Sequence, residues 1–204
     1  MEIPDLMQFQ MEPFNGDKFV QLEFAKLSHS YPDAVAIETG TCLGSSTLYL
    51  AKHFRIVYTI EFVQEYTDIA KKRALEAEID NIVFIKGSSA EQLPSLLFSH
   101  AFEKPVVFFL DAHWENHCPL ETELMAIAVS GIKVPIIVIH DWKVPNESGL
   151  GYDSYNGIDF ETSWISALLD KIYPTGWTAK YNTEQNSMGA RRGVIYLSPS
   201  SAPM

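Results

Sequence analysis

Ala34-Val35-Ala36-Ile37-Glu38-Thr39-Gly40-Thr41-Cys42-Leu43-Gly44-Ser45-Ser46 is an apolar run that ends in an acid, passes two glycines and enters a helix-forming stretch. A short unbroken apolar run rich in Val and Ile reads as a strand covered on both faces. Glycines between such a strand and a helix allow a sharp turn and a close backbone approach. The same kind of run recurs at Ile56–Ile60, Ile82–Ile85, Val106–Leu110 and Ile136–Ile139. Helical patterns fill the gaps at Ser45–Lys52, Gln64–Ile79, Ala90–His100 and Leu120–Ser130, and an opening helix falls near Lys18–Ser28. In Gln64–Ile79 the residues Tyr66, Ile69, Ala70, Ala74, Ala77 and Ile79 share one side, which predicts the buried face. Strand and helix alternating on this scale mean βαβ units, right-handed crossovers and a doubly wound sheet.

After Ile139 the pattern changes. Val144–Gly157 holds Pro145, three glycines and two tyrosines, and reads as a mobile loop and candidate lid. A helix over Phe160–Ile172 precedes two strand candidates, Thr178–Tyr181 and Gly193–Leu197, which predict a closing antiparallel pair. The last residues, SPSSAPM, read as frayed. Trp164 and Trp177 read as core, and Arg191-Arg192 as a solvated surface pair. The expectation is an α/β fold with a doubly wound, mostly parallel, seven-stranded sheet and an antiparallel C-terminal strand. It forms one domain over 1–204, with 1–30 as an N-terminal cap and 144–157 as the lid.

The 204 residues are 47% hydrophobic and 20% charged, enough apolar content for a full core. The net charge of −11 disfavours nucleic acid and anionic membrane as partners, because affinity for both comes from Lys and Arg. No signal-peptide pattern is visible, and the apolar runs are too short to span a bilayer. Two cysteines, Cys42 and Cys118, do not make a disulfide framework. These readings predict a cytoplasmic protein that acts on a small molecule, and they leave a homo-oligomer open.

The turn departs from the dinucleotide fingerprint G-x-G-x-x-G, because Cys42 replaces the second glycine. That glycine makes room for a pyrophosphate. Its absence predicts a nucleoside ligand without a diphosphate. Glu61 closes the second strand candidate, where a carboxylate can accept hydrogen bonds from both ribose hydroxyls.

These residues resemble the class I S-adenosylmethionine-dependent methyltransferases. Within them the chain is similar to the metal-dependent small-molecule O-methyltransferases, the catechol O-methyltransferase type and its macrolide-sugar relatives. The resemblance covers Ala34 to Trp142. It rests on the acid-x-Gly-x-x-x-Gly turn, Thr59-Ile60-Glu61, and Gly87-Ser88-Ser89 followed by Gln92-Leu93-Pro94. It continues through Phe109-Leu110-Asp111, His113-Trp114 and His140-Asp141. The resemblance implies S-adenosylmethionine as cofactor, with Glu38 and Gly40 facing its methionine part, Glu61 on the ribose and Ser89 near the adenine. Gly44 and Ser45 of the turn, Asp111 and Trp114 complete the expected cofactor set. Ser88 and Ser89 also read as helix caps, in the registers Ser88-x-x-Glu91 and Ser89-x-x-Gln92.

Asp111 ends the fourth strand candidate and His140-Asp141 the fifth. In a doubly wound sheet these ends lie side by side at the ligand crevice. The resemblance places the family's divalent cation on Asp111, Asp141 and the residue before it. That residue is His140, where the catechol type carries a carboxylate. Carboxylates suit Mg²⁺, and a histidine admits Mn²⁺, Fe²⁺ or Zn²⁺. The catechol type also places a lysine base three residues after its first metal aspartate, and that lysine is absent from Asp111-Ala112-His113-Trp114-Glu115. His113, which titrates near neutrality, is the candidate base beside Asp111. Its alternative role is contact with the cofactor, with Trp114 stacked near the adenine. His117 and Cys118 lack a second Cys/His pair, which argues against a zinc site there. The expected function is divalent-metal-assisted O-methylation of a small hydroxylated acceptor. Two other classes compete with it: an iron-dependent oxygenase built on Asp111, His113 and His140, and a non-catalytic nucleoside-binding partner protein.

Overall fold

The computed structural model describes residues 9–114 and 116–202. The first eight residues of the expected cap, Glu115 and residues 203–204 lie outside the described set.

Five strands run parallel: β1 (Val35–Thr39), β2 (Val57–Glu61), β3 (Ile82–Lys86), β4 (Val106–Leu110) and β5 (Pro135–His140). The helices among them are α1 (Lys18–Ser30), α2 (Ser45–His53), α3 (Gln64–Glu76), α4 (Ser89–Ser99) and α5 (Leu120–Val129). The chain then forms a small hairpin, β6 (Ser154–Tyr155) and β7 (Ile158–Asp159), the helix α6 (Thr162–Ile172), and the strands β8 (Trp177–Tyr181) and β9 (Val194–Pro199). The main sheet has seven strands in the order β3-β2-β1-β4-β5-β9-β8, with β9 antiparallel to both neighbours. This is the expected doubly wound sheet with an antiparallel C-terminal strand.

The period of two in the strands feeds two cores. Ile37, Phe108, Leu110, Ile137 and Ile139 pack toward α4, α5 and α6. Ala36, Val107, Phe109, Ile136 and Val138 pack toward α1 and α2. Strands β1, β4 and β5 have apolar residues on both faces because both faces are covered. Edge strand β3 is only half buried, so its apolar run overstated its burial.

Other expectations need correction. Helix α3 ends at Glu76, and its buried face is Thr67, Ala70 and Ala74; Tyr66 and Ala77 are exposed. Glu78 adopts a left-handed backbone (φ 54) that stops the helix before Ile79. Trp164 and Trp177 are only partly buried, and their indole N–H groups donate to Glu121 Oε1 (2.9 Å) and Asp170 Oδ1 (3.4 Å). The fully buried tryptophan is Trp142. The tail is tied through Ser200 N–H to Gly176 O (3.0 Å), so its described part is not frayed.

The chain moves outward from β1 to β3 and returns on the other side of β1 as β4. This reversal separates the loops after β1 and β4 and opens a crevice at their C-terminal ends, the usual ligand position in such sheets.

Candidate active site

A cavity of about 880 Å³ lies at this reversal. Glu61, at the end of β2, lines one side. Its Oε2 accepts from Cys42 N–H (2.8 Å) and its Oε1 from Val63 N–H (2.7 Å). The carboxylate is thereby fixed on two loops, and each oxygen keeps a lone pair for a ligand hydroxyl. Gly40, Ser88, Ser89, Asp111, His113, Trp114 and Asp141 also line the cavity.

Gly40 has φ 87, and a Cβ there would collide with the Asp111 carbonyl carbon and oxygen. The glycine lets the loops after β1 and β4 pack together. Gly44 (φ 80) serves α3, because a Cβ there would lie 2.7 Å from Ala70 Cβ. Neither Gly44 nor Ser45 lines the cavity; Ser45 Oγ donates to Gln10 O (2.9 Å) and accepts from Arg73 Nη1 (2.9 Å).

Glu38 is fully buried beneath the turn. Its Oε2 accepts from Thr47 Oγ1 and from Thr59 Oγ1 (2.6 Å), and Oε1 has no partner. Burial pushes this carboxyl up to about 8, against the pull of the two hydroxyls. Glu38 therefore keeps its proton at neutral pH and does not line the cavity. Ser88 takes the N-cap position of α4 but makes no capping bond, so the expected capping box is absent. Ser89 begins the helix, and its buried Oγ has no hydrogen bond while the residue lines the cavity.

The opposite side holds the acids and histidines. His140 Nδ1 lies 3.3 Å from Asp111 Oδ1 and 3.2 Å from Asp141 Oδ2. It forms no well-angled hydrogen bond with either. A buried ring nitrogen between two carboxylates without a hydrogen bond has the donor arrangement of a cation site, and the three ligand atoms lie within 4.8 Å of one another. His113 Nε2 is 3.1 Å from Asp141 Oδ2, 3.7 Å from Asp111 Oδ1 and 4.0 Å from Asp153 Oδ2. Burial opposes protonation of both histidines, but the aspartates around them hold both above the usual imidazole value. Asp141 stands well below the usual carboxylate value; burial works against this, and His140, His113 and Arg192 outweigh it. Asp141 has φ 59, a strained backbone for an aspartate, which is common where a side chain is aimed at a site.

Arg192 and Asp153 line the cavity although the sequence pattern did not point to them, and Tyr155, expected in the lid, lies beside them. Arg192 is no surface residue: Nε pairs with Asp141 Oδ1 and Nη2 with Asp153 Oδ1. Tyr155 donates to Asp153 Oδ2 (3.1 Å). The 144–157 segment is also not a plain loop. Gly151 N–H donates to Arg191 O (2.9 Å) and Asp153 N–H to Asp141 O (2.9 Å). Asn156 (φ 54) and Gly157 (φ 78) make the tight turn of the β6–β7 hairpin. Asn-Gly between short strands is a strong hairpin signal. Glu123 of α5 is a buried carboxyl beside Ser89 and Thr39, and burial pushes it up. Its signal was a lone acid on an otherwise apolar helix face.

Exposed apolar side chains rim the mouth: Phe62 (69%), Trp114 (57%), Tyr152 (41%), Val63 and Tyr66. Trp114 and His117 exchange two backbone hydrogen bonds of 2.9 Å.

No protein-family model matches the chain. Over 97 residues it is 32% identical to an "uncharacterized RNA methyltransferase" of Clostridium tetani, covering 47% of this chain and 20% of that protein. Over 129 residues it is 28% identical to a "probable cobalt-precorrin-6B C(15)-methyltransferase (decarboxylating)" of Methanocaldococcus jannaschii, covering 59% of this chain and 69% of that protein. The chain thus spans about a fifth of the first of these relatives. Among solved structures, the O-methyltransferase from Bacillus cereus in complex with SAH superimposes with a TM-score of 0.63 at 18% identity, covering 97% of this chain and 93% of that one. The fold is that of the class I S-adenosylmethionine-dependent methyltransferases. Within this methyltransferase fold the cavity lies at the strand-order reversal, and no described helix is long and apolar enough to cross a membrane.

Proposed function

We propose that the chain is an S-adenosylmethionine-dependent O-methyltransferase acting on a small hydroxylated acceptor with the help of one divalent cation. One observation carries the reading: a single cavity has the Glu61 carboxylate on one side and Asp111 and Asp141 on the other, with His140 buried behind these two aspartates. Its volume lies in the upper part of the range for small-molecule sites, with room for a nucleoside and a second small ligand. Glu61 suits the nucleoside, and Asp111, His140 and Asp141 would hold the cation.

S-adenosylmethionine supplies an electrophilic methyl group, and a divalent cation lowers the pKa of a hydroxyl bound to it. In this reading His113 is the base that takes the acceptor proton, through the ring nitrogen that Asp141 leaves free. Asp141 fixes the Nε2 side of its ring, and the surrounding aspartates stabilise the imidazolium that results. Tyr155 and Phe160 flank the His113 ring at centroid distances of 6.3 and 4.7 Å and keep water from one face.

An RNA acceptor fits the charges poorly. Arg192 is the single Lys or Arg among the described cavity residues, and both of its bonds go to carboxylates. The chain as a whole carries −11.

Calorimetry with S-adenosylhomocysteine, with and without Mg²⁺ or Mn²⁺, tests the proposal. The expected result is binding of the nucleoside in both cases and separate binding of the metal. A chain that binds neither is not this enzyme.

A further inference from the structure

Two overlapping donor sets lie at the acidic side of the cavity, with His140 buried behind its wall. Asp111, His140 and Asp141 form one; His113, Asp141 and Asp153 form the other. In each set the three ligand atoms lie within 4.8 Å of one another. The two sets share Asp141, and the same atom, Oδ2, faces both His113 Nε2 (3.1 Å) and His140 Nδ1 (3.2 Å). Taken as a bare list of ligands, this is a bridged two-cation site, of the kind in which two metals stand about 3.5–4 Å apart.

The sets differ in one respect. His140 Nδ1 in the first is buried and has no hydrogen bond. In the second, both carboxylates already share a cation on their Oδ1 atoms, while their Oδ2 atoms face His113 Nε2. Arg192 reaches in from the residues just before β9, and its fork spans Asp141 Oδ1 and Asp153 Oδ1. A planar guanidinium can bond two carboxylates at once, which a lysine ammonium does less well.

We infer that Arg192 is the resident second cation of this site. Its charge limits the site to one divalent ion, and its fork ties Asp141 and Asp153 together through their Oδ1 atoms. Charge supports this. With both histidines neutral, as ligands of a metal must be, Asp111, Asp141 and Asp153 contribute three negative charges; Arg192 and a single divalent ion contribute three positive ones. A second ion would leave two positive charges uncompensated among buried groups, which is costly. Topology supports it too. The backbone bonds Asp153 N–H to Asp141 O, Gly151 N–H to Arg191 O and Gly193 N–H to Gly151 O (2.8 Å) knit the three segments that carry Asp141, Asp153 and Arg192. The guanidinium is therefore held by the fold and is not a mobile side chain that a metal displaces freely.

This inference rests on the proposed cation set, and the test separates the two. Mn²⁺ binding is measured by equilibrium dialysis on the wild type, Arg192→Met, Arg192→Lys and the double variant Arg192→Met/His113→Ala. Circular dichroism confirms the fold of each. The wild type and Arg192→Lys are expected to bind one ion per chain, and Arg192→Met two. The second ion should disappear in the double variant, and its pair should show a spin-coupled spectrum in Arg192→Met. A purely structural role for Arg192 would lower stability without adding an ion. One ion or fewer in folded Arg192→Met, with one in the wild type, overturns the inference. If the wild type binds none, the Asp111/His140/Asp141 reading is what fails. The inference then stands on one ion in Arg192→Met that His113→Ala removes, and it falls if that variant also binds none. Should Arg192→Met not fold, Arg192→Gln is read in the same way.

Discussion

Replacing Glu38 by glutamine should make the protein's stability less sensitive to alkali. The carboxyl is fully buried and bonded on one oxygen only, by Thr47 and Thr59. Burial raises it from 4.5 to about 8. Between these values the folded chain keeps a proton that the unfolded chain has released. Stability from this group is therefore complete below about pH 4.5, falls as pH rises, and is lost above about pH 8. At 1.36 kcal/mol for each pH unit, the two titration curves integrate to roughly 3.5 kcal/mol between pH 5 and pH 8. Glutamine has nearly the same shape, keeps an acceptor for the two threonines and never ionises. All other groups are common to both proteins and cancel in the difference. Urea denaturation at pH 5, 6, 7 and 8 gives the two stability curves. The stability of Glu38→Gln minus that of the wild type should climb steadily by an amount of that order. Parallel curves would refute the reasoning. They would mean that Glu38 is ionised in the folded chain, and the expectation that it faces a ligand would regain its force.

Glu61→Ala should weaken S-adenosylhomocysteine binding by roughly 1.5–3 kcal/mol, the scale of hydrogen bonds to a charged group; unchanged calorimetric affinity would remove this acid from the ribose. Gly40→Ala should destabilise the fold by about 2–4 kcal/mol, because the Cβ meets the Asp111 carbonyl at a left-handed φ; a thermal melt within a degree of the wild type would contradict that packing. Asp111→Asn should abolish Mn²⁺ binding in dialysis and leave nucleoside affinity nearly unchanged, whereas a joint loss would mean one undivided site. In hydrogen exchange the Gly151 and Asp153 amides should be protected without any ligand, and the hairpin turn at Asn156-Gly157 only when cofactor, metal and acceptor are all present. Equal protection of that turn in both states would mean that it does not close over the acceptor.

Much of the fold was legible because its strands are short apolar runs separated by amphipathic helices. β4 matches its predicted limits, Val106–Leu110, and β1, β2, β3 and β5 differ by one or two residues at an end. The misses come from properties that a single run does not carry. The run Ile82–Ile85 looks as apolar as the central strands, yet it lies at an edge, where one neighbour is missing. Tyr66 fits the helical period, yet it stands at the cavity rim because the mouth lies at that end of α3.

The site divides along the same line. Glu61, Asp111 and Asp141 follow parallel strands, and the residues after such strands converge on one edge of the sheet. Arg192 reaches that edge by the opposite route. Strand β9 is antiparallel and pairs with β5 in the register His140 with Val194. A strand that runs backward starts where its parallel neighbour ends. The residues before β9 must therefore lie beside those after β5, and Arg192 comes to Asp141 for this reason. An antiparallel closing pair is the expectation for the C-terminal segment, and its consequence was within reach: Arg192, two residues before that strand, belongs at the crevice, while Arg191 turns away to the Glu184 carbonyl. Asp153 stands just before the hairpin, and its N–H bond to Asp141 O brings its carboxylate beside Asp141 and Arg192. In this chain the antiparallel course of β9 is what brings Arg192 to the acid that closes β5.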